Sequence, residues 1–143
     1  MGNLNFNNGL QTYTVNGTTQ LSFNPTDINF CNSVFSLADQ FEKIRDRNSE
    51  IEDSEDVYKA LRDSDSEMRK AVDSVFGEGV SASLFGNSNV FSPCDGLPMV
   101  MNFLLAILDE IDASVESATN ADNPRVNAYI RKYEKKYGKA MTK

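Results

Sequence analysis

The sequence predicts a mainly α-helical fold, three to four helices with a small N-terminal β-hairpin. Three observations lead there. Apolar residues recur three and four apart over three long stretches, the spacing of one helix face. Two short alternating runs flank Asn16-Gly17, the preferred centre of a two-residue hairpin turn, because both positions must accept positive φ. Between the second and third helical stretches stand two Phe-Gly pairs, Phe76-Gly77-Glu78-Gly79 and Leu84-Phe85-Gly86, which bracket room for a single helical turn.

The elements follow in order. Met1 to Gly9 is rich in Asn and Gly and reads as loose chain. Thr12–Val15 and Thr19–Phe23 form the hairpin, with Leu21 and Phe23 alternating with polar neighbours. A lone hairpin is marginal in water, so this one must pack on a helix or pair with the edge of another subunit. Asn24-Pro25-Thr26-Asp27 turns the chain into the first helix. Thr26 or Asn24 suits the cap, and Pro25 suits a first turn. That helix extends to about Arg47, with Ile28, Cys31, Phe35, Ala38, Phe41 or Glu42, and Arg45 in its stripe and Val34 and Ile44 beside it.

Residues 48–55 are polar and acidic and read as a linker. The second helix runs from about Ser54 to Phe76, with Asp53 or Ser54 as cap and Glu55 and Asp56 favoured by the positive end of the helix dipole. Val57, Leu61, Met68, Val72, Val75 and Phe76 mark its buried edge. The edge weakens at Ser64 and Asp65, which predicts partial cover or a break there. Gly77 is placed to end the helix, since glycine adopts positive φ freely. Val80–Leu84 forms one turn, and Gly86–Asn89 a loop. The third helix, the most apolar, spans about Leu97 to Ser117 and buries Met99, Phe103, Leu104, Ile107, Leu108, Ile111 and Val115. Ala118–Asn123 breaks it, and Pro124 opens a last helix to about Tyr137.

Composition narrows the function classes. At 143 residues with 40% hydrophobic content the chain suits one soluble domain. No apolar run reaches the length of a membrane span, and with no basic region and apolar run at its start no signal peptide is expected. There is no histidine, so the commonest general base and metal ligand are missing, and a zinc site lacks its ligand clusters. Cys31 and Cys94 read as reduced, partly buried thiols rather than a disulfide. Acidic groups such as Asp63 with Asp65, or Asp109 with Glu110 and Asp112, read as solvated helix faces. Asp63-Ser64-Asp65-Ser66-Glu67 lacks the central glycine and distal Glu of a calcium loop. Gly77-Glu78-Gly79 lacks the Lys and Ser or Thr of a phosphate loop and reads as a tight corner. No cofactor and no enzyme activity is expected.

Charge divides the chain. Residues 1–123 carry 7 basic and 20 acidic side chains, a net of −13, while residues 124–143 carry 7 basic and 1 acidic, a net of +6. We therefore expect an acidic helical domain over 1–123 and a basic C-terminal helix or tail over 124–143. Two readings fit: a solvated tail, or a tail that docks on the body of another subunit or on a partner. The tail sets Tyr129, Arg131, Lys132, Tyr133, Lys135, Lys136 and Tyr137 side by side. The acidic body argues against nucleic acid as its partner, and tyrosines favour a protein contact.

In this order of elements, and above all in Phe76-Gly77-Glu78-Gly79 and Leu84-Phe85-Gly86, the chain resembles small tail proteins of bacteriophages and prophages, in particular the tail assembly chaperones. The likeness is close over Val75–Gly86 and looser over Asp27–Ile111. It implies a non-enzymatic, mostly helical protein of the host bacterial cytoplasm. Such a protein coats the long tape measure protein before the tail tube forms and self-associates, without nucleic acid or membrane partners. The protein-contact residues expected on this reading are Phe76, Gly77, Gly79, Leu84, Phe85, Gly86, Tyr129, Arg131, Lys132, Tyr133 and Lys136. The rival readings are a virion tail or connector subunit, and an acidic inhibitor that binds a basic partner.

Overall fold

Strand β1 (Gln11–Val15) pairs antiparallel with β2 (Thr19–Phe23), placing Tyr13 opposite Leu21 and Val15 opposite Thr19. Asn16 and Gly17 both have positive φ, 51° and 76°, as a two-residue primed turn requires. The loop is one residue longer than expected. The Thr18 N–H donates to the Val15 carbonyl at 3.2 Å and closes the turn, leaving Thr18 as an extra residue ahead of the Val15–Thr19 pair. Along β2, Thr19, Leu21 and Phe23 are buried while Gln20 and Ser22 face water, the alternation of a strand with one covered face. The cover comes from α2 and α3.

The structure, a computed structural model, describes residues 1–120 and Arg131. Within them the fold is mainly α: α1 (Ile28–Ser49), α2 (Ser54–Phe76), α3 (Val80–Phe85) and α4 (Met99–Asn120), with the β1–β2 hairpin at the front. The cap of α1 is neither Asn24 nor Thr26 but Asp27, whose carboxylate accepts from Phe30 N at 3.0 Å. Asn24 instead shapes the preceding bend, accepting from the Thr26 N–H and hydroxyl. The buried line of α1 is Val34, Leu37, Phe41 and Ile44, one position away from the expected stripe. Ile28 and Phe35 lie outside. Adjacent stripes of similar hydrophobicity differ by only about 100° around a helix, and packing against α2 and α4 selects the second one.

Only residues 50–53 separate α1 from α2, fewer than expected. Asp53 caps α2, accepting from Glu55 N and Asp56 N. The helix does not break at Ser64. That residue is fully buried, and its hydroxyl accepts from Asn48 Nδ2 at 2.9 Å, so a small side chain there lets the end of α1 come close. Gly77 ends α2 with φ 124°. After α3, two very short strands, β3 (Pro93–Cys94) and β4 (Leu97–Pro98), pair around Asp95-Gly96, both at positive φ. This small ladder was not expected, and it delays α4 to Met99. At its far end α4 continues to Asn120, through the first residues of the expected break. The expected helix from Pro124 to Tyr137 lies outside the described residues apart from Arg131, which is helical and exposed.

The core is strung on aromatic rings. Tyr13 stacks on Phe23 and Phe23 on Phe30, each at 4.6 Å. Phe76 meets Phe23, Phe30 and Phe103 edge-on, and Phe103 meets Phe85 likewise at 5.8 Å. Edge contacts of this kind add to what burial alone contributes. One cluster thereby ties the hairpin, α1, α2, α3 and α4 together. Val100 joins the buried face of α4, whereas Val115 is exposed at 41%.

Candidate functional site

The Phe-Gly segment is built as a corner. Gly77 closes α2, Gly79 opens α3 at φ 83°, and Gly86 closes α3 at φ 58°. A side chain at these φ values is strained even in open space. Phe85 is buried, and Phe76 and Leu84 pack against the core. The aromatic rings expected to meet a partner are therefore turned inward, and their contacts are to the chain's own Phe23, Phe30 and Phe103. Of the expected tail residues, Arg131 is exposed, and Tyr129, Lys132, Tyr133 and Lys136 lie outside the described residues.

A line of polar side chains on α2 holds this corner in place. Asp65, Arg69 and Asp73 stand four apart and so share one face. The Asp73 carboxylate accepts from Ser81 N at 2.7 Å. Arg69 bonds Asp65 through Nε at 3.1 Å and donates Nη2 to the carbonyls of Gly86 and Ser88 at 2.8 and 2.6 Å. Its guanidinium lies 6.0 Å from the centre of the Phe85 ring, a cation–π position. Asp65 also accepts from Val90 N at 2.8 Å, and the Asn89 amide donates to the Leu61 carbonyl at 3.0 Å. Asp65 is thus not a solvated carboxylate. Charges four apart beside a glycine-rich segment were the signal that sequence reasoning missed. The hairpin joins the same corner, with the Thr19 hydroxyl 2.7 Å from that of Ser83.

Open grooves flank this framework, and two of them are extended. One lies between α1 and α2, which run antiparallel: Arg47 reaches Glu67 and Asn48 reaches Ser64 near the tight connection, while Phe30 meets Phe76 at the other end. It holds about 590 Å³. Leu37, Ala71 and Val75 line it together with Ser33, Ser36, Ser66 and Ser74, and Asp63, Glu67 and Lys70 bring charge to it. Small residues on both helices keep it open.

The second groove runs between β1 and α4. Three cavities of about 410, 210 and 460 Å³ share walls along it. Phe103 and Ala106 belong to the first two, and Glu110 to the last two. Tyr13, Thr14 and Val15 of β1 line it together with Phe23 of β2. From Met99 to Ala118 it covers 19 steps of helix rise, about 29 Å. Tyr13 reaches into it beside Glu110 and Ser114. Burial, and then the hydrogen bond and charge of Glu110, push the phenol's pKa up, against an opposing bond from Ser114. Cys94 stands exposed at one end, and Cys31 is half-buried, its thiol facing the Pro25 carbonyl at 3.6 Å.

No group of three or more metal-ligating side chains occurs among the described residues. Nor is any helix among them long and apolar enough to cross a membrane. Residues 16–141 match a family of unknown function, DUF6673. The chain belongs to that family. The match begins at the turn of the hairpin and so takes in the Phe-Gly corner, the α2 polar line and both helices of the α1–α2 groove. No curated protein and no solved structure matches this DUF6673 chain.

Proposed function

We propose that this DUF6673 protein is an assembly chaperone of bacteriophage tails, acting in the host cytoplasm, and that it holds a helical stretch of the tape measure protein in the α1–α2 groove. The observation that carries the reading is the groove itself. Two antiparallel helices joined by four residues present a trough with an apolar floor and small hydroxyl-bearing rims. An amphipathic helix seats in such a trough with its apolar ridge down. The resemblance of the Phe-Gly corner to tail assembly chaperones supplies the client class. The corner's part is to fix α2, one wall of the trough, through Asp65, Arg69 and Asp73.

The experiment is co-expression with segments of the tape measure protein, followed by affinity capture. Ser36 and Ser74 are exposed groove residues, so Ser36→Arg with Ser74→Arg fills the trough without touching the core. The wild-type chain is expected to retain a tape measure segment and the double variant to lose at least about tenfold in affinity, or ~1.4 kcal/mol, with unchanged helicity. Undiminished capture by the variant, or no capture by the wild type, overturns the reading. Recovery of the protein from finished virions by mass spectrometry would favour the structural-subunit alternative instead.

A further inference from the structure

The first ten residues form no strand but carry the alternation of one. Leu4 and Phe6 alternate with Asn3, Asn5 and Asn7, and Leu10 falls on the same parity. In an extended chain that puts the apolar side chains on one face. The chain leaves them uncovered: Leu4 is 97% exposed, Phe6 85% and Leu10 59%. β1 has the complementary defect. It pairs with β2 on one side only, and Gln11–Thr14 make no backbone hydrogen bond outside that ladder among the described residues. Natural proteins blunt such edges with charge, proline or a covering element. Here no charged side chain occurs anywhere before Asp27 and no proline before Pro25. Beside this edge runs the groove lined by Tyr13, Val15, Phe103 and Ala106.

We infer that Met1–Leu10 of one copy adds as a strand to the β1 edge of a second copy, with Leu4 and Phe6 seated in its β1–α4 groove, and that two copies exchange these arms reciprocally. The base of the arm is pinned at one end of its own groove, where Asn7 and Gly9 form part of the wall, and residues 1–10 pair with no strand of their own chain. Asn24 Nδ2 donates to the Asn8 carbonyl at 3.0 Å, and the Asn7 and Asn8 side chains accept from Gly9 N and Leu10 N. A type I′ reversal at Asn8-Gly9 has both φ positive, whereas here only Gly9 is positive, at 82°. Gly9 is also wedged against Asn24, where a Cβ would lie 2.5 Å from Nδ2.

Charge and area both admit a second copy. Each chain carries a net of −7, so body-to-body contact is repulsive, but the arm and β1 carry no charged side chain, and Glu110 is the carboxylate along that stretch of the groove. Burial of Leu4 and Phe6 removes about 300 Å² of arm surface at values usual for such side chains. The groove wall loses about as much, so two arms reach roughly 1,200 Å², the lower end of a stable interface.

The test measures the mass of the full chain in solution, without client, so its outcome is separate from that of the tape measure experiment. Light scattering after size exclusion is expected to give about twice 15.9 kDa for the wild type. Leu4→Asn with Phe6→Asn should halve the mass and leave the circular dichroism unchanged, since neither side chain touches the core. Ala106→Arg, on an exposed groove residue, should also give the monomer. A mixture of the two variants should recover a two-chain species, because one intact arm then meets one intact groove. A monomeric wild type overturns the inference, whether the arm lies free or on its own edge. So does a two-chain species that survives both variants, or a mixture that stays monomeric.

Discussion

Replacing Arg69 with Ala should loosen the corner that joins α2, α3 and the start of the Val90 segment. The side chain is about one-fifth exposed and donates two short charge-assisted hydrogen bonds, to Gly86 and Ser88. Bonds to charged groups contribute about 1.5–3 kcal/mol each in buried settings. Gly86 and Ser88 are exposed and recover water when the guanidinium leaves, so the lower figure applies to each, and the ion pair with Asp65 adds little beyond it. The expected cost is about 3 kcal/mol. For a chain of this length that lowers Tm by roughly 10 °C. Arg69→Lys keeps the charge but not the fork. It should reach one carbonyl and cost about half as much.

Asp65→Ala separates the partners. It removes the ion pair and also leaves the Val90 N–H, on a fully buried residue, without an acceptor. It should therefore cost at least as much as Arg69→Ala, and the double variant less than the sum of the two. Chemical denaturation followed at 222 nm gives all three values. A loss under about 0.5 kcal/mol for Arg69→Ala, the scale of an ordinary surface substitution, would refute the reasoning, as would a lysine variant equal to wild type.

Two further outcomes follow from the grooves. Tyr13 holds its proton to a higher pH when folded than when unfolded. Its contribution is therefore complete below the ordinary tyrosine range and is lost as pH rises through the raised folded value. Tyr13→Phe should flatten the alkaline decline of Tm, and an unchanged decline would show that folding does not raise the phenol's pKa. Of the thiols, exposed Cys94 should react with a disulfide reagent well before Cys31. Burial first, and Asp27 second, push the Cys31 thiol up and keep it protonated. Single Cys→Ser variants assign the two rates, and equal rates would contradict the packing around Cys31.

What was legible in the sequence is what local chemistry decides. Asn16-Gly17 sets the hairpin, and Asp53 and Gly77 bound α2 at Ser54 and Phe76, because turns and caps depend on residues within one helical turn. The phase of α1 was not legible. Ile28, Cys31 and Phe35 compete with Val34, Leu37, Phe41 and Ile44 on equal hydrophobic terms, and only the positions of α2 and α4 choose between them. Ser64 and Asp65 looked like a gap in the buried edge for a related reason. Their partners, Asn48 and Val90, stand 16 and 25 residues away. The Phe-Gly pairs were correctly placed between helices, but their inward direction follows from Phe103, on a helix whose approach no local pattern encodes.

Salt distinguishes arm exchange from tail docking as routes to self-association, because the charge is so unevenly spread. If the basic residues 124–143 dock on the acidic body of another copy, the attraction is between opposite charges. If arms exchange, the arm brings no charged side chain to the contact, and charge enters chiefly as repulsion between two chains of net −7. Raising salt from about 0.01 M to about 1 M shortens the Debye length from roughly 30 Å to roughly 3 Å. Screening then weakens the first mode and strengthens the second, and salt also favours burial of Leu4 and Phe6. The dissociation constant measured across that range should fall with salt if the uncharged front of the chain makes the contact. A constant that rises with salt, and that is lost when residues 125–143 are removed, would assign self-association to the tail. The sign of one slope thus decides between the neutral front of the molecule and its basic end.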